Sequence, residues 1–196
     1  MPADESGKEE ERLSRLNRLY LAIISRYKDY IQEKEGLSVV ELPVLVTPKD
    51  EAVAKKVADI KSGFGNYDYE RDFRQAAAVA FSFVKDEIDG VILPLEFWLT
   101  PKDTLEHMMG DVIDKNILLC SMLVGLGNPS TKVLMRIKGE NFGAFVYYEF
   151  ENKIYMLDLD GGMKEFSGKE AMIASLGIDD DTTAYEFNNQ TYLDIS

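Results

Sequence analysis

The run GDVIDKNILLCSMLVGLG, residues 110 to 127, constrains this chain more than any other stretch. Asp111 and Asp114 stand around one turn at the head of an apolar helix. Ile117, Leu118, Leu119, Met122 and Leu123 then recur at the spacing that packs a helix against a sheet. Asp111 suits the N-cap, and Asp114 places a second carboxylate near the positive end of the helix dipole. A helix of this kind has to be the centre of a packed domain. The expectation is therefore an α+β fold with this helix against a sheet.

The rest of the chain divides in two. Residues 1–8 are polar and read as a flexible tail, with 9–36 as an amphipathic N-terminal helix. There Leu13, Leu16, Tyr20, Ile23, Tyr27 and Tyr30 form one stripe, widened by Leu19, Leu21, Ile24 and Ile31. That helix either packs on its own domain or docks a partner or a second copy, and Gly36 is its expected stop. Residues 37–196 read as one α+β domain. VVELPVLV, broken by Pro43, is a connector or an edge strand. Thr47 and Pro48 open a helix running to about Ser62, and RDFRQAAAVAFSFVKDEI is a further helix. LEFWLTPKDTLEHMMGD is read as mostly irregular. After Gly127 the texture becomes extended: TKVLMRIKG, FGAFVYYEFEN and KIYMLDLDGG are strands, with Glu151-Asn152 as a hairpin turn. Ser167 and Glu170 propose a capping box before a short helix, and AYEFNNQTYLDI a final strand or hairpin.

Composition limits the chemistry. Hydrophobic residues make up 45% of the 196, enough for a core, and the formal net charge is -13. Such a surface repels phosphates, so neither nucleic acid nor an anionic membrane is an expected partner. No basic region followed by an apolar run opens the chain, and no stretch reaches the roughly 18 apolar residues of a membrane span, so a cytoplasmic protein is expected. One cysteine and one histidine leave no zinc site of the Cys/His kind. No metal or cofactor is expected. DLDGG at 158–162 lacks the further ligands of a calcium loop, and DDDTT at 179–183 reads as a turn or cap.

The order of features from Thr47 to Gly162 resembles the transglutaminase-like superfamily, whose core is papain-like. Trp98, Thr100-Pro101 and Thr104-Leu105 precede Gly110-Asp111-Val112-Ile113-Asp114, where the family has Gly-Asp-Cys-x-Asp at the start of its core helix. Gly143-Ala144-Phe145-Val146 stands where the family has a His-Ala-Phe-Val type strand, and Asp158 where the next strand ends in aspartate. The resemblance maps the Cys-His-Asp triad onto Val112, Gly143 and Asp158. A thiol at a helix start is activated by the dipole, and histidine moves its proton. Valine and glycine do neither. Cys120 lies about 12 Å further down the helix at 1.5 Å per residue, among core residues, and His107 precedes the helix start.

The resemblance thus implies a catalytically degenerate member and no enzyme activity. It implies a groove beside Trp98, Asp111, Val112, Asp114, Gly143 and Asp158 that binds a peptide or protein. Homo-oligomerisation through the N-terminal helix is a further expectation. The alternative is a hydrolase or transferase in which Asp111, Asp114 and Asp158 work as carboxylates in that cleft. It requires two of these side chains free and facing each other. The binding reading has them engaged as caps or strand-end hydrogen bonds.

Overall fold

The computed structural model describes residues 3–33, 39–92, 98–139, 141–179 and 181–195. Gly36, expected to stop the first helix, lies outside them, as do the side chains of Tyr27, Tyr30 and Ile31. Among the described residues, six α-helices and an antiparallel sheet make an α+β fold whose early helices pack on the later sheet.

Helix α5, Val112–Leu126, is the axis of the core. Ile117, Leu118, Leu119, Cys120, Met122 and Leu123 are all fully buried. It meets α2, Glu51–Ser62, and α3, Tyr69–Asp86, on one side. On the other it meets β3, Lys132–Lys138, and β4, Asn141–Phe150. Alanines 76, 77 and 80 let α3 come close, and Phe73 and Phe81 fill the space between. Gly127, at φ 117, closes α5 in a left-handed cap that the edge of the Tyr69 ring leaves no room to widen.

The six-stranded sheet runs β6-β5-β4-β3-β7-β8, all antiparallel, with β5 at Lys153–Asp158, β6 at Gly162–Phe166, β7 at Thr183–Phe187 and β8 at Tyr192–Asp194. Strand alternation sorts its side chains. Ala144, Val146, Tyr148, Tyr155 and Leu157 face α5. Leu134, Tyr147, Ile154 and Met156 face the other way, under helix α6, Lys169–Ser175. On that second face Glu186 is 1% exposed yet charged. Lys132 Nζ at 2.7 Å, Lys169 Nζ at 2.6 Å and the Tyr147 hydroxyl at 2.7 Å all donate to it. Burial alone would raise its carboxyl, but these three donors outweigh it and hold it below the ordinary range.

Several local expectations are corrected. Helical backbone in α1, Ala3–Glu33, starts ahead of the expected tail boundary. Residues Val39–Leu45 form a 3-10 helix rather than a strand: Pro43 has no N–H for a ladder, and the turn drives Leu42 and Leu45 into the core. The N-cap of α2 is Asp50, which accepts from Ala52 N at 2.9 Å, while Thr47 N donates to Ser121 Oγ of α5. Gly168, with no side-chain cap, precedes α6 in place of a Ser167 box. The approach to α5 is not irregular but holds helix α4, Pro101–His107, set by a Thr100–Asp103 capping box. Two short parallel strands, β1 at Asp89–Gly90 and β2 at Met109–Gly110, were not legible. Glu151 and Asn152, at φ 51 and 59, do form the expected tight hairpin turn.

Helix α1 packs on its own protein. Leu16, Leu19, Tyr20 and Ile23 sit against Val91, Leu99 and Met109, and Arg15 pairs with Asp89 at 2.5 Å. The neighbouring flank of the same helix stays open, with Leu21 66% exposed beside exposed Leu13 and Ile24.

Two outcomes follow from this packing. Replacing Glu186 with alanine strands two ammonium groups and a phenol, and should cost about 3 kcal/mol in urea unfolding. A loss under about 1 kcal/mol would show that the cluster is solvated. The Cys120 thiol, pushed up by burial, should react with a thiol reagent only as fast as the native protein unfolds.

Candidate functional site

The first turn of α5 is held by two aspartates. Asp111 is its N-cap and accepts from Asp114 N at 2.8 Å, while Asp114 Oδ2 accepts from Asp111 N at 3.0 Å. Asp114 goes further than a cap. It has no exposed surface, and its Oδ1 accepts from Leu99 N at 2.7 Å. This carboxylate therefore ties the helix start to the segment carrying Trp98. Gly110 permits the approach, since a Cβ there would lie 2.9 Å from Asp114 Cβ and 3.2 Å from Thr104 Cγ2. Burial raises the carboxyls of both Asp111 and Asp114, and the charge of Asp111 adds to the shift at Asp114. Lys115, next along, donates to Ile88 O at 2.7 Å, and burial lowers its ammonium.

Val112 is 40% exposed at the mouth of this turn. Its carbonyl accepts from Asn116 Nδ2 at 2.7 Å, and the same amide donates to Ala144 O at 3.3 Å. Asn116 is fully buried, and its Oδ1 meets no donor among the described residues. One amide group thus joins the start of α5 to β4. Trp98 is half-buried and packs on the core behind this turn.

The mapped positions are not all brought together. Trp98, Asp111, Val112 and Asp114 share the α5 end. Gly143 lies in β4 next to Ala144 but faces the other side of the sheet: a Cβ there would meet the Phe145 ring at 3.1 Å and Arg136 Nε at 3.9 Å. A histidine at 143 would project toward α6, not over Val112. Asp158 follows Ile154 and Met156 by strand alternation onto that same face, and its carboxylate accepts from Asp160 N at 3.0 Å. His107 is the last residue of α4, half-buried, and Cys120 is inside the core.

No family model matches the sequence, and no curated protein matches it. A solved structure does. The chain shares its fold with Legionella pneumophila LapG (EGTA-treated). The likeness has a TM-score of 0.51 at 14% identity and covers 82% of this chain and 87% of that one. The architecture is thus a papain/transglutaminase-like core. The expectation that this chain is no enzyme is corrected: the likeness to LapG shows the fold, and it gives no sign of inactivity.

The buried pair sets a pH dependence. Asp114 has a folded-state pKa raised above its unfolded value, so the folded protein takes up a proton first as pH falls. Stability from this group is complete below the ordinary carboxylate range and is lost as pH rises through the raised value. Asp114→Asn removes that linkage and leaves one of two backbone N–H groups unmet, costing about 1–3 kcal/mol. The native protein's advantage over the variant should widen as pH is lowered from neutral. Paired denaturation curves giving a pH-independent difference would refute the assignment.

Proposed function

We propose that this transglutaminase-like domain binds a peptide or protein segment at the α5 end, in a groove walled by Trp98, Asp111 and Val112 with buried Asp114 behind them. The observation that carries this reading is the engagement of the carboxylates. Both oxygens of Asp114 and one of Asp111 hold backbone N–H groups, so they act as supports of a shaped wall rather than as free bases. Val112, exposed above buried Asn116, offers an apolar contact at the mouth. The net charge of -13 favours a neutral or basic segment. Gly143 and Asp158, on the opposite sheet face, are not part of this wall.

A second reading has one observation in its favour. Burial has raised Asp111 and Asp114 together, and coupled carboxylates of this kind serve as acid and base in hydrolases. It would cast the chain as an enzyme working through this pair.

Trp98 is the single tryptophan, so its fluorescence reports the groove directly. Peptides enriched from a random library on the native chain should shift that emission on titration. Val112→Arg, at a partly exposed position, should leave thermal stability unchanged and weaken binding at least about tenfold. Equal affinity for both proteins would place the peptides elsewhere and end the binding reading. Cleavage of the same peptides, followed by mass spectrometry and lost in Asp111→Asn, would establish the second.

A further inference from the structure

Helix α1 leaves a second apolar row uncovered. Leu16, Leu19, Tyr20 and Ile23 are taken up by Val91, Leu99 and Met109 of its own domain. About a third of a turn round the helix runs another row: Glu10, Leu13, Asn17, Leu21 and Ile24, spaced three and four apart. All five are exposed, Leu21 and Ile24 by more than half. Scattered exposed leucines are ordinary, but three large apolar residues in one row form a seam.

Charge indicates what covers the seam. Glu9, Glu10 and Glu11 stand near the start of α1. Arg12, Arg15, Arg18, Arg26 and Lys28 follow, with no acid between residues 12 and 28. Lys28 is the next position of the exposed row by spacing. Glu9 lies 3.8 Å from Arg12 of the same helix, and Arg15 is held by Asp89. The helix dipole favours acids first and bases last within one chain. It does not account for the apolar row between them.

A second copy of the chain, turned end for end, matches both features. About a two-fold axis near residue 19, Leu13 faces Ile24, Asn17 faces Leu21, and Glu10 and Glu11 face Lys28 and Arg26. Laid parallel, the seam would set acids against acids and bases against bases. We infer that α1 pairs antiparallel with α1 of a second copy along Leu13, Asn17, Leu21 and Ile24, making a closed dimer. The pairing uses none of the groove residues and is independent of what the groove binds. A helix contact from residue 10 to 28 covers roughly 300 Å² on each copy, at 1.5 Å per residue and about 10 Å width. That is well short of the roughly 800 Å² of a standard interface, so the pair is weak, with a Kd of about 10–100 μM.

Sedimentation velocity of the full chain in low salt, from about 1 to about 500 μM, should show a monomer–dimer equilibrium that weakens as salt screens the end charges. Leu21→Arg should weaken it at least about tenfold and leave thermal unfolding at low concentration unchanged. Charge reversal reads the orientation. Glu10→Lys with Glu11→Lys should weaken the pair, and so should Arg26→Glu with Lys28→Glu, although the two move the net charge in opposite directions. A chain with all four substitutions keeps the native net charge and should regain native affinity. If that chain loses helicity by circular dichroism, an equimolar mixture of the two reversed chains decides instead, since they complement each other across the pair. A chain monomeric at every concentration, an association untouched by Leu21→Arg, or assembly beyond two copies overturns the pairing. Reversals that change nothing singly, as a parallel pair would give, overturn it too, as does a failure of the combined charges to restore the dimer.

Discussion

The arrangement depends on one buried carboxyl group. Asp114 has no water to solvate it, and burying an unpaired carboxylate is prohibitive. It is tolerated because two backbone N–H groups and the positive end of α5 surround it. Those donors belong to Leu99 and Asp111, which approach from different parts of the chain. The carboxyl therefore fixes where three pieces meet: the segment after Trp98, the short β2 strand and the core helix. Gly110 is small because that meeting leaves no space for a side chain.

The second constraint is the two-sidedness of the sheet. Its α5 face is a continuous aromatic and aliphatic layer, in which Phe73 meets Tyr148 edge-on at 5.1 Å and Tyr148 stacks on Tyr155 at 5.2 Å. Its α6 face is a smaller layer around Tyr147 and Met156, fastened by Glu186. Side chains one residue apart fall on opposite faces, so a motif matched along a strand commits each residue to a side. Gly143 shows the consequence. The resemblance expects a histidine at this position, yet its neighbour Ala144 is the residue that turns toward the helix.

Much of the fold was legible because period and burial agreed. The core helix, α3, the three long strands and the Glu151-Asn152 turn follow from spacing and from residues with strong local preferences. The misses are places where local and tertiary signals diverged. Thr100-Pro101 with Asp103 is a strong helix start, but its seven-residue helix has little periodicity to display. The valine-rich run at 39–46 has strand composition, and Pro43 and the demand of the core made it a 3-10 helix. At the site, Asp111 and Asp114 were readable as caps. The grip of Asp114 on Leu99 was not, because it joins residues fifteen apart across a turn. Asn116 carried a faint signal as a polar side chain opening an apolar run. Its two carbonyl partners belong to three dimensions alone.

The seat of α1 has a consequence for how the molecule behaves as a whole. Its apolar stripe rests on Leu99 and Met109, and the Leu99 amide is the one that grips Asp114. Leu99 therefore serves two neighbours at once: its side chain seats α1 and its N–H holds Asp114, so loosening the amino-terminal helix loosens the start of the core helix as well.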